Sequence, residues 1–90
     1  MIKNLVQMYE NGAITADHLA VECLHRVDPA RPKCVLGALP SAVLGRMLKY
    51  VREYRPGAMR TNYGPQPAAD QVEAAKGWIE ANAEGLRLRV

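Results

Sequence analysis

Ninety residues, 49% apolar and 23% charged with a net charge of +3, describe one small globular domain, 1–90, with material for a single hydrophobic core. No run of 18 apolar residues is present, which excludes a helix that spans a membrane, and MIKNLVQMYENG lacks the apolar stretch and cleavage site of a signal peptide, so a cytoplasmic location is expected. Cys23 and Cys34 fit no metal or redox spacing and are too few for a disulfide framework, so both read as free thiols, and no metal or cofactor is expected.

The first predicted helix covers about residues 2–11. Ile2, Leu5, Val6 and Tyr9 share one stripe, and Lys3, Asn4, Gln7 and Glu10 face away. Gly12 stands where a left-handed cap is wanted. The second helix starts at Thr15, a good N-cap, with Asp17 in the first turn and Ile14 and Leu19 at the two positions of a hydrophobic staple. Its apolar face runs through Ala16, Leu19, Ala20, Cys23, Leu24 and Val27, and Asp28-Pro29 stops it. The short link between these two helices predicts an antiparallel pair.

Residues 28–40 hold Pro29 and Pro32, and periodicity leaves 34–39 open between a short helix and a buried strand, with the helix preferred. The third long helix, about 40–54, buries Val43, Leu44, Met47, Leu48, Tyr50, Val51 and Tyr54 and turns Arg46, Lys49, Arg52 and Glu53 outward. A connection over 55–67 follows, long for a link between helices. The last helix, about 67–84, admits Pro67 in its first turn and has Gly85 as its expected cap. Ala68, Val72, Ala75 and Ile79 recur along it as a seam of mostly small residues, suited to close approach by another helix. The tail, 86–90, alternates apolar and basic and reads as a short strand, a frayed end or a segment ordered by a partner. The expected fold is therefore all-α, about four helices around one core, with an α+β arrangement pairing 34–39 and 86–90 as the alternative.

Catalytic chemistry finds little purchase. His18, Glu22 and His25 share a face of the second helix, but the two histidines are two turns apart, about 10.5 Å, and cannot both reach one ion. Nothing fixes a histidine beside either cysteine as a base, and no glycine-rich phosphate loop appears. Basic charge does concentrate. Residues 41–65 carry Arg46, Lys49, Arg52, Arg55 and Arg60 against Glu53 alone. Such a ridge, with Tyr63 available to stack on a base, suits phosphates or an acidic protein surface. Three features point to a non-enzymatic interaction module: the seam available for self-association, the Arg-bearing connection and the alternating tail. The expected partner is a protein or a second copy, with nucleic acid as the alternative. A small metal-binding protein or enzyme using His18, Glu22 and a cysteine is a third reading.

Overall fold

In the computed structural model, which describes residues 2–55 and 64–88, five helices follow one another: α1 (Ile2–Glu10), α2 (Ala16–Leu24), α3 (Lys33–Leu36), α4 (Ser41–Glu53) and α5 (Ala69–Asn82). The four long helices expected from the periodicity form, and the ambiguous stretch at 34–39 opens as the single helical turn α3. The two-stranded ribbon is not realised, because residues 34–36 are helical and residues 86–87 lie in a turn. Arg60 and Tyr63 lie outside the described residues, as do the last two residues of the tail.

Local chemistry sets the boundaries. Gly12 takes φ 79°, its N–H donates to the Tyr9 carbonyl at 3.0 Å, and the Ala13 N–H donates to the Met8 carbonyl at 2.8 Å. That pair of bonds is the Schellman closure, which glycine adopts without a Cβ clash. Thr15 caps α2 as expected, its hydroxyl accepting from the His18 N–H at 3.1 Å, and Ile14 packs on the cluster that contains fully buried Leu19. At the other end α2 stops at Leu24, a turn earlier than the proline alone requires. The N–H groups of Arg26 and Val27 bond to Cys23 and Leu24, three residues back, so the chain tightens out of the α-helix and drops Val27 into the core. Asp28 and Pro29 then make a turn: the Asp28 carboxylate accepts from the Ala30 N–H at 2.9 Å, and its carbonyl accepts from the Arg31 N–H at 2.8 Å.

The core forms chiefly where α4 packs on α2 and α5 packs on α4. Leu19, Leu24, Leu36, Val43, Met47, Ala75 and Ile79 are fully buried there. Each buried leucine contributes about 1.5–3 kcal/mol relative to an exposed one. The last helix departs from expectation at both ends. It starts at Ala69, not Pro67. Pro67 precedes the cap, fully buried, with its carbonyl accepting from the Tyr54 hydroxyl at 3.0 Å, and the Gln66 side-chain amide donates to the Arg55 carbonyl at 3.2 Å. These two bonds bring the ends of the 55–67 connection together.

Gly85 is not the cap either. The turn runs on to Arg87, which takes φ 59°, and its N–H donates to the Glu84 carbonyl at 3.1 Å while the Leu88 N–H donates to the Ala83 carbonyl at 2.9 Å. This is the Schellman pattern again, with an arginine in the position that favours glycine. What selects it is Leu88, which folds back over the core so that a Cβ on Gly45 would stand 3.8 Å from its Cδ2.

Candidate interaction surface

Arg46, Lys49 and Arg52 lie exposed along α4, and Arg55 is exposed just beyond it. The ridge is partly neutralised by the chain itself. Both Nε and Nη2 of Arg52 donate to one Glu80 oxygen, at 3.1 and 2.8 Å, which ties α4 to α5. Arg46 Nε lies 3.9 Å from an Asp17 oxygen on α2. Lys49 and Arg55 have no ion-pair partner among the described residues. Tyr50 and Tyr54 sit half-buried with ring centres 6.3 Å apart, and burial first, then the neighbouring Tyr54, raises the Tyr50 phenol above its ordinary value. Both rings belong to the core side, as their spacing indicated.

On α2, Glu22 is shared by its helical neighbours. Its carboxylate lies 3.7 Å from His18 Nε2 and accepts from Arg26 Nη1 at 3.1 Å. This is a solvated ladder at i,i+4 spacing. His25 points elsewhere, with its Nε2 buried and without a hydrogen-bond partner. No three His, Cys, Asp or Glu side chains among the described residues gather as metal ligands would. Cys23 is fully buried, and burial, offset in part by Arg26 and reinforced by Glu22, pushes its thiol up to about 11, whereas Cys34 is exposed.

The small-residue seam of α5 faces inward. Val72, Ala75 and Ile79 are buried in the chain's own cluster with residues of α2 and α4, and Ala68 is the exposed cap. The close helix approach that small residues permit is therefore made within the chain, and a second copy cannot reach these three without opening the core. This corrects the expectation that the seam is a self-association surface.

One residue that periodicity did not single out links two helices. The side-chain amide of Gln71 donates to the carbonyls of His25 and Val27, at 3.0 and 3.1 Å, and its oxygen accepts from the Ala68 N–H at 3.1 Å. It thus supplies partners to the frayed end of α2 and the open start of α5 together. The only sequence signal was a glutamine three residues after the cap, half of a capping box whose other half needs a serine or threonine.

The uncovered apolar surface is on α1. Ile2, Leu5, Val6 and Tyr9 pack on the core's edge, yet no residue of this helix is buried, and Met8 is 42% exposed. Beside it lies a groove of about 480 Å³ lined by Ile2, Lys3, Val6, Gln7, Glu10 and, from the turn after α3, Ala38. No helix among the described residues is long and apolar enough to cross a membrane. The chain matches no family model, and no curated protein or solved structure matches it.

Proposed function

We propose that this protein is a non-enzymatic interaction module that docks on another protein through α1. The observation that carries this reading is that the apolar stripe of α1 is only half-buried at the core's edge, with none of its residues fully buried, beside an apolar groove wide enough to accept side chains. The other three long helices each place several residues in the core. A helix laid across such a groove, anchored at i and i+4 positions, is a recurrent way for proteins to meet.

The test is a photo-crosslinking residue placed at Gln7, on the groove, and in a second variant at Lys49, on the basic ridge. Irradiation in cells should give a discrete adduct from position 7 and none from position 49. An adduct from 49 alone moves the interface to α4, and no adduct from 7 removes the reading.

Nucleic-acid binding is the second reading, and exposed Lys49 and Arg55, without ion-pair partners among the described residues, favour it. Arg46 and Arg52 weigh against it, since each already faces a carboxylate. Duplex binding through Arg46, Lys49 and Arg52 would fall with salt at a log–log slope near −2.7, at about 0.9 per phosphate neutralised, and Arg46/Lys49/Arg52→Ala would abolish it.

A further inference from the structure

Two charges on α1 stand at the wrong ends of their own helix. Lys3 is in its first turn and Glu10 in its last, so each opposes the helix dipole. Both are exposed, and neither has an ion-pair partner among the described residues. They are seven residues apart, so they lie on one line along the helix, two turns and about 10.5 Å from one another. That line runs beside Ile2, Val6 and Gln7 on the groove.

A surface that is positive at one end, negative at the other and apolar along its flank complements itself. A second α1 laid antiparallel, centred over Val6 and Gln7, sets Lys3 against Glu10 of the partner subunit and, by symmetry, Glu10 against Lys3 of the partner subunit. The two apolar flanks then meet on one side. A parallel second copy would set like charges together, so these two residues select direction as well as partner.

We propose that α1 is a self-association surface, and that its occupant is α1 of a second copy of this chain in antiparallel register. The proposal rests on the reading of α1 as a docking face. Each copy contributes a nine-residue helix and a neighbouring turn. That is less than the roughly 800 Å² per partner of a standard interface, so the dimer is transient and dissociates on dilution.

Sedimentation equilibrium from about 1 µM to 1 mM reads this directly, since exposed pairs respond to charge change without disturbing a core. Wild-type protein should move from monomer toward dimer across the series. Lys3→Glu and Glu10→Lys should each weaken the dimer roughly ten-fold, because each places two like-charge pairs across the interface. An equimolar mixture of the two variants should recover it, since every pair is then opposite. Neither variant should melt earlier than wild type as a monomer, because both substitutions now suit the dipole of α1. A wild-type monomer up to 1 mM, unchanged affinity in the single variants, or no recovery on mixing overturns the proposal. The crosslink at position 7 separates this failure from failure of the docking reading. An adduct at twice the monomer's 9.9 kDa supports the second copy, an adduct at any other mass keeps docking and overturns self-association, and no adduct overturns both.

Discussion

Removing the Gln71 side chain should cost more than truncating an ordinary exposed side chain. Its three hydrogen bonds reach two α2 carbonyls and the amide that opens α5, so Gln71→Ala frees groups on both helices at once. A net hydrogen bond contributes about 0.5–1.5 kcal/mol. Gln71 is half-buried, so water can re-satisfy some of the freed groups, and the loss should be about 1–2 kcal/mol. At about 4–8 °C per kcal/mol for a domain of this size, Tm should fall by roughly 4–16 °C. Gln71→Glu separates the two roles. The carboxylate keeps an acceptor for the Ala68 N–H and adds a favourable negative charge at the start of α5, but it can no longer donate to His25 and Val27. It should therefore still melt below wild type at pH 7. Thermal and urea unfolding of both variants measure this. A Gln71→Ala variant within about 0.5 kcal/mol of wild type, or a Gln71→Glu variant as stable as wild type, would refute the cross-link between α2 and α5.

Other outcomes follow from single positions. Gly77 is exposed inside α5, and a methyl added there would meet nothing within 4 Å, so Gly77→Ala should raise stability by about 0.8–1 kcal/mol in urea unfolding. Arg87→Gly relieves the left-handed backbone at the end of the chain and should gain about 0.5 kcal/mol after the added freedom of the unfolded state, whereas a loss would mean the arginine side chain holds that turn. An aromatic disulfide reagent at pH 8 should modify Cys34 at once and Cys23 only as the protein opens. A thiol at about 11 has roughly 100-fold less thiolate there than one at its ordinary 9.0, and simultaneous reaction of both would contradict the burial of Cys23. The same shift has a pH signature. The neutral Cys23 thiol contributes stability that is complete below pH 9.0 and is lost as pH rises to about 11, about 2–3 kcal/mol, and Cys23→Ala should lack that part of the alkaline decline.

What the sequence exposes well is what local chemistry decides. Gly12 as a cap, Thr15 as an N-cap and the apolar faces of α2 and α4 all follow from side-chain size, hydrogen bonding and period, and the described residues show them. What it hides depends on tertiary context. Alternation at Leu86, Arg87 and Leu88 has the period of a strand, yet Leu88 finds the core by way of a strained arginine, which no local propensity predicts. Pro67 is allowed in a first helical turn, but its carbonyl is held by Tyr54, and that contact shifts the helix start by two residues. The seam of α5 is visible as a pattern, and a pattern of small residues does not tell whether the helix it meets is in the same chain or another. The basic ridge is visible as well, while the carboxylates of Asp17 and Glu80 that face it come from distant parts of the chain.

A core closed by α2, α4 and α5, with α1 left uncovered at its edge, is tested most directly by native-state amide exchange on dilute protein. The hydrogen-bonded amides of α1 and its cap, including those of Asn11, Gly12 and Ala13, should exchange through a local opening at least about 100-fold faster than the buried amides of α4 and α5, which should wait for global unfolding. If residues of α1 exchange at the same slow rate as Met47 and Ile79, then α1 is an integral wall of the core, and its face is not the surface on which this protein meets a partner.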